Sequence, residues 1–324
     1  LKKHLFKDKL ITKVIKDVLG NYWVTSHDNG IFIIPNVSFN TINKPKTNTS
    51  IKNHFNKFLG FYVQDANNTL YKFIDKKKSL NVITNSKSDI KYVFENPFLN
   101  ELNIQKEPNK LSVFSSKQKH LKDIKVTGVL KEVNYLNKDV IIKSTNINAG
   151  FFKLQKKGKI FAKPIFEISG RSYSNTYSKI NKKAYFANIN GLFSVDSLYN
   201  KKEILDQDKS IFAKKIISNT NGTIWVLCFK NKILKIKNDK IIDSINLKTG
   251  LLNPINSHIY KYNKDLWILG NSGIQIYNTI TKQFSNITNK DGLPSYDFKG
   301  IFIKNDSAFI STSKEIIYFN IKSF

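Results

Sequence analysis

Leu19-Gly20-Asn21-Tyr22-Trp23-Val24-Thr25-Ser26, Asn221-Gly222-Thr223-Ile224-Trp225-Val226-Leu227 and Asn263-Lys264-Asp265-Leu266-Trp267-Ile268-Leu269 are three versions of one phrase. Each is a polar turn leading into a short apolar strand that carries a Trp. A second turn and strand follow, as Asp28-Asn29-Gly30-Ile31-Phe32-Ile33-Ile34 in the first version and Asn271-Ser272-Gly273-Ile274-Gln275-Ile276-Tyr277 in the third. A unit this small cannot cover its own apolar faces, so it has to stack on copies of itself. The Gly residues in Asn29-Gly30, Asn190-Gly191, Asn221-Gly222 and Ser272-Gly273 supply the positive φ that tight hairpin turns need.

Aligned on these strands, Tyr185 to Trp225 is 40 residues, Trp225 to Trp267 is 42, Trp267 to Ala308 is 41 and Trp23 to Tyr62 is 39. Short strands at that period mark a blade of four strands. The reading is an all-β fold: a β-propeller of four-stranded antiparallel blades, seven in number with eight as the alternative, occupying 1–324 as a single domain. The units run about Lys9 to Asn36, His54 to Lys78, Asp89 to Lys119, Lys125 to Lys156 and Ser172 to Leu198. Three more centre on Trp225, Trp267 and Ala308-Phe309-Ile310. One unit is expected to be shared between the chain ends, because a terminal strand paired into the last blade removes exposed edges. Lys122 to Leu136 has helical amphipathicity, but Gly128 and the β-branched Val126, Thr127 and Val129 favour strand. Asn43 to Ser50 reads as part of a long surface loop.

Apolar residues make up 40% of the 324 and aromatics 13%, enough for a core and too many for a disordered chain. No run of about 18 uncharged apolar residues occurs, so no helix here spans a bilayer. The chain starts at Leu1 and lacks Met; this reads as a piece of a longer protein. Cys228 is the one cysteine and lies in an apolar run, as a buried inert thiol would.

The formal charge is +29, yet Arg171 is the sole arginine. Base-reading surfaces rely on the planar guanidinium fork, so nucleic acid is not an expected partner. Lysines scattered over turns and strand edges read as a solvated surface that resists aggregation, or as a field that helps recruit an acidic ligand such as an anionic polysaccharide.

No catalytic constellation emerges. His4, His27, His54, His120 and His258 form no pair at metal-ligand spacing, and no metal or cofactor is expected. Acidic residues such as Asp17, Asp28, Asp65 and Asp291 fall in turns, so no glycosidase pair can be assigned. No Gly-x-Ser-x-Gly elbow and no phosphate-cradling Gly loop occurs. The three Trp belong to apolar runs and read as blade packing. Tyr173, Tyr177, Tyr199 and Tyr296, nearer to turns, are the better ligand-contact candidates by elimination, and the ligand residues themselves stay unassigned.

Asn289-Lys290-Asp291-Gly292-Leu293-Pro294-Ser295-Tyr296 resembles the Asp-Gly-Leu-Pro-Ser-Asn linker of the two-component regulator propeller family. Gly20-Asn21-Tyr22-Trp23-Val24-Thr25 followed by Asn29-Gly30-Ile31 is similar to its Gly-Asn-Leu-Trp-Ile-Gly-Thr and Asn-Gly-Leu pair. Lys248-Thr249-Gly250-Leu251-Leu252-Asn253 resembles a weaker linker. The resemblance covers 9–36 and 210–320 well and 80–180 weakly. It implies a sensory domain, periplasmic or otherwise extracytoplasmic, of a sensor histidine kinase or hybrid regulator in a phosphorelay. It implies an extracellular small-molecule or oligosaccharide ligand, a neighbouring propeller or β-sandwich domain of the same chain, and room for a homodimer. This segment itself is expected to be no enzyme and to make no membrane contact. A protein-interaction scaffold and, less readily, a polysaccharide-active propeller are the alternatives.

Overall fold

Ile224–Cys228 is buried at every position because it has a strand on each side and another sheet on each face. That arrangement repeats around a ring. The computed structural model describes residues 6–17, 21–34, 39–42, 50–57, 60–74, 77–155, 160–253 and 255–323. His4, Gly20 and most of the Asn43 to Ser50 loop lie outside them.

The strands form eight antiparallel sheets, seven of which are blades. Blade one is 51–85, blade two 92–125, blade three 130–169, blade four 172–210, blade five 213–245 and blade six 256–287. Blade seven is 298–320 completed by an early strand. The innermost strands are Ile51–Lys57, Tyr92–Asn96, Leu130–Tyr135, Ser172–Ser178, Ala213–Ser218, Asn256–Tyr262 and Phe298–Lys304. They touch in ring order, the seventh against the first.

Four strands precede the first blade: β1 (Ile11–Lys16), β2 (Tyr22–Ser26), β3 (Gly30–Ile34) and β4 (Asn40–Ile42). Strand β4 closes the ring by pairing with the third strand of blade seven, Ile42 opposite Ile316, Thr41 opposite Ile317 and Asn40 opposite Tyr318. The expected terminal closure is therefore present, and the ring has seven blades.

Seven apolar clusters, one at each blade interface, hold the described ring together. Between blades five and six, Trp225, Leu227 and Ile233 meet Leu266, Ile268 and Tyr277. Between blades seven and one, Phe309 and Ile316 meet Phe61, Val63 and Phe73, with Ile42 of β4 included. The two linker motifs fold alike: short 3-10 turns at Leu247–Thr249 and Asn289–Asp291 carry capping boxes and end on left-handed Gly250 and Gly292. Each then buries the following leucine, Leu251 or Leu293.

Two expectations are corrected. The unit Lys9 to Asn36 is not a blade of this ring; β1–β3 form a separate three-stranded sheet. The second to fifth units also stop short of their outer strands. Strands such as Ser79–Asn85 and Ala162–Ser169 are mostly exposed or half-buried, with one buried residue each, and present no apolar run to detect. The segment Lys122 to Leu136 is strand as expected, split between His120–Lys125 and Leu130–Tyr135 around Gly128 at φ +75°. Cys228 is buried, and burial pushes its thiol up to about 12, in keeping with an inert core cysteine.

Candidate ligand site

The continuous apolar runs that carry Trp225 and Trp267 are second strands, covered on both faces. The innermost strands have a different composition because one side borders the propeller axis. There they leave a cavity of about 460 Å³, bordered by Tyr92, Lys131, Glu132, Lys215, His258 and Lys299 among others.

Six of the seven innermost strands begin with a buried residue and then bulge by one residue. The register slips between Ile51 and Asn53, Leu130 and Glu132, Ser172 and Ser174, Ala213 and Lys215, Asn256 and His258, and Phe298 and Gly300. In blade two, Lys91 occupies the same place: its N–H donates to Gln105 O at 2.7 Å, although Gln105 lies opposite Tyr92. A bulge leaves its extra residue unpaired and re-aims that side chain. Going around the ring, the bulged residues are Lys52, Lys91, Lys131, Tyr173, Lys214, Ser257 and Lys299. Five of the seven are lysine, whereas an average composition of 53 Lys+Arg in 324 would place about one there.

Of these lysines, Lys131 and Lys299 border the axial cavity itself. Asp89 bridges blades one and two, 3.0 Å from both Lys52 Nζ and Lys91 Nζ. Burial pushes its carboxyl up, but hydrogen bonds from Lys52, Lys91 and Gln64 outweigh this and hold it below the usual carboxylate range. Lys299 Nζ lies 2.8 Å from Asp297. Lys214 Nζ donates to Asn256 O at 3.3 Å. Lys131 has no carboxylate partner among the described residues. Burial lowers its ammonium below the ordinary lysine value, and Arg171 and Lys91 lower it further.

One residue further in, Glu132 is tied down on every side. It accepts from Ser174 Oγ, from Asn175 N at 3.2 Å and from Lys215 Nζ at 2.8 Å. Asn175 Nδ2 donates in turn to Glu132 O and to Ser144 Oγ. Asn134 Nδ2 donates to Asn175 Oδ1 at 2.8 Å. His258 is lowered to about 4, first by burial and then by the charges of Lys215 and Lys299. A carboxylate so fully bonded is a structural tie between blades three, four and five, not a free base. Among the described residues no group of His, Cys, Asp and Glu is arranged to hold a metal.

Of the tyrosines singled out from sequence, only Tyr173 stands at an innermost-strand bulge, that of blade four. Arg171 lies over its ring at 5.2 Å, and Phe229 packs against it at 5.1 Å. Tyr177 packs into the interface of blades three and four. Tyr199 stacks on Phe166. Tyr296 fixes the second linker, its hydroxyl accepting from Asn289 N at 2.6 Å. Sequence reasoning missed the lysine positions because lysine is abundant everywhere. The signal was their recurrence at the blade period, visible once the chain is registered on its buried Ile51, Ile90, Leu130, Ala213 and Phe298.

The sheet β1–β3 offers a second surface. It carries the same bulge, between Ile11 and Lys13, and the same Trp register, Ile15 opposite Trp23 as Ile217 is opposite Trp225. Most of its apolar side chains are uncovered: Val14, Ile15, Tyr22, Trp23, Ile31 and Ile33 are exposed, while Val24 is buried and Phe6 packs on Phe32.

No family model matches the sequence, and no curated protein matches it. Among solved structures, the chain is similar to the extracellular domain of a putative hybrid two-component system from B. thetaiotaomicron. The TM-score is 0.71 at 15% identity, over 96% of this chain and 45% of that one. It is also similar to the extracellular domain of a putative one-component system from the same organism, at TM-score 0.69 and 13% identity over the same shares. Virginiamycin B lyase from Staphylococcus aureus gives a TM-score of 0.67 at 12% identity, over 87% of this chain and 98% of the lyase. The chain thus spans less than half of each extracellular domain. At these identities the likeness is one of fold: this is a β-propeller built like those in the extracellular parts of such systems, the group its repeated motifs resemble.

Proposed function

We propose that this chain is the ligand-sensing propeller of a two-component receptor, held in the periplasm and coupled to a histidine kinase. The observation that carries the reading is the axial cavity. It gathers side chains from several blades at one place, so a ligand seated there touches elements whose relative packing can change. A ligand can bias a kinase only through contacts that differ between two states. A site shared among blades provides such contacts.

The bare sheet β1–β3 supplies the output side of this reading. It has the strand order, bulge and Trp of a blade and lacks both neighbours. A neighbouring propeller of the same chain is its proposed cover, which agrees with the 45% share of the similar extracellular domains that this chain spans. Oligosaccharides are the proposed ligand class, because the cavity presents amide and hydroxyl groups alongside Phe55, Tyr92 and Tyr260. The cavity is proposed to bind and not to transform its ligand, since Glu132 is already bonded on all sides.

The test uses the full-length gene product in membranes. Oligosaccharide-dependent autophosphorylation that disappears when Tyr92 and Tyr260 are changed to Ala supports the proposal. A full-length product without a kinase or regulator module overturns it.

A further inference from the structure

We propose that the lysine-ringed mouth of the axial cavity is a site for an anionic oligosaccharide, one carrying carboxylate or sulfate groups. This rests on the sensor reading for the location and goes beyond it in naming the charge of the ligand. The geometry comes first. Lys52, Lys91, Lys131, Lys214 and Lys299 come from five different blades, and each stands at the same structural position, the bulge of an innermost strand. Lys131 and Lys299 border the cavity, Lys91 is near enough to Lys131 to act on its charge, and Asp89 links Lys91 to Lys52. Two carboxylates, Asp89 and Asp297, partly offset them. Arg171 adds a further positive charge beside Lys131.

The charges at this mouth differ from the rest of the basic surface in one respect. A lysine in open water keeps its hydration and is screened within about 8–10 Å. Lys131 has lost part of its hydration and gained no carboxylate in return, while two other cations press on it. Burial, helped by the charges of Lys215 and Lys299, likewise lowers the His258 imidazole to about 4. The mouth therefore keeps a positive field that its carboxylates offset only in part, and a bound anion relieves it. An anionic group placed there gains charge-assisted hydrogen bonds, which are roughly twice as strong as neutral ones.

Below the rim, the groups suit a polyhydroxylated body. Asn134, Thr176 and Ser218 border the cavity together with the rings of Phe55, Tyr92 and Tyr260. Nucleic acid is the poorer occupant, because the mouth offers one arginine and one rim tyrosine in place of a stacking platform. The cavity of about 460 Å³ accepts the end of a sugar chain and not a duplex.

The test is calorimetric titration of the intact chain at low salt with three probes: a short oligogalacturonate, a sulfated dextran oligomer, and a neutral malto-oligosaccharide of matched length. Lys131→Gln is expected to weaken the better anionic probe about tenfold, as does the loss of one charge-assisted bond of about 1.4 kcal/mol. The double variant Lys91→Gln/Lys299→Gln, at exposed and half-exposed positions, repeats the test should Lys131→Gln fail to fold. Lys240→Gln, on the outer strand of blade five, is expected to leave affinity unchanged. Equal weakening by Lys240→Gln overturns the proposal, as does failure of both anionic probes to bind. Tighter binding of a single-stranded oligonucleotide than of either sugar overturns it as well. Binding of the neutral sugar alone, lost on Tyr92→Ala, removes the anion inference and leaves the sensor reading standing.

Discussion

The sheet β1–β3 and blade five are the same object in two settings. Both have a bulged first strand, a Trp in the second strand and a hairpin into the third. Trp225 is 1% exposed and Trp267 in blade six is 2% exposed, whereas Trp23 is 39% exposed. Nothing within the motif accounts for the difference. Blade five has a wedge on each side, and β1–β3 has none. Burial is thus a property of the neighbours, and the stability of such a ring resides in its interfaces.

The largest expected contrast is in the tryptophans. Trp225→Ala or Trp267→Ala opens a cavity between blades and is expected to cost about 3–5 kcal/mol, read by urea unfolding. Trp23→Ala removes one hydrogen bond, from Nε1 to Asp17 at 2.9 Å, and is expected to cost about 1 kcal/mol or less. Equal losses would break the comparison. The glycines give a smaller contrast. Gly273 has φ +123°, and an added Cβ would stand 2.5 Å from Ile287 O on the fourth strand of its blade. Gly30 has φ +75° with nothing within 4 Å of that position, because its sheet has no fourth strand. Gly273→Ala is expected to cost about 2–3 kcal/mol and Gly30→Ala about 1 kcal/mol, both by thermal unfolding.

Acid separates the two regions more gently. The ring holds His258 neutral to about 4, while in the unfolded chain it protonates near its ordinary value of 6.5. The unfolded state therefore binds more protons in this window. Stability is expected to fall as pH drops from about 6.5 to 4. His258→Asn should flatten that slope, and an imidazole NMR titration reads the shift directly. The smallest effect changes no stability at all. Acrylamide should quench the fluorescence of Trp23 alone, and a thiol reagent should leave Cys228 untouched until the ring unfolds.

The repeat was legible because second strands are covered on both faces and so become continuous apolar runs, as in Leu266-Trp267-Ile268-Leu269. The linkers were legible because Gly250 and Gly292 must adopt left-handed backbone at fixed points. Outer strands were not, since half their side chains face water. The ring membership of the first unit was equally hidden: its residues carry the full motif, and only its position in space shows that no blade flanks it. The lysine ring was obscured by composition. Fifty-three basic residues mask five that matter by position, and a β-bulge leaves no mark on a single strand.

The ring is a closed band with one seam. Three residue pairs fasten it, between β4 and Ile316–Tyr318. Ile34, the end of the bare sheet, and Asn40, the start of the fastening strand, are six positions apart. A pull or twist applied to that sheet is delivered to the clasp first, ahead of any blade core. The join that closes the circle is also the one next in sequence to the bare sheet.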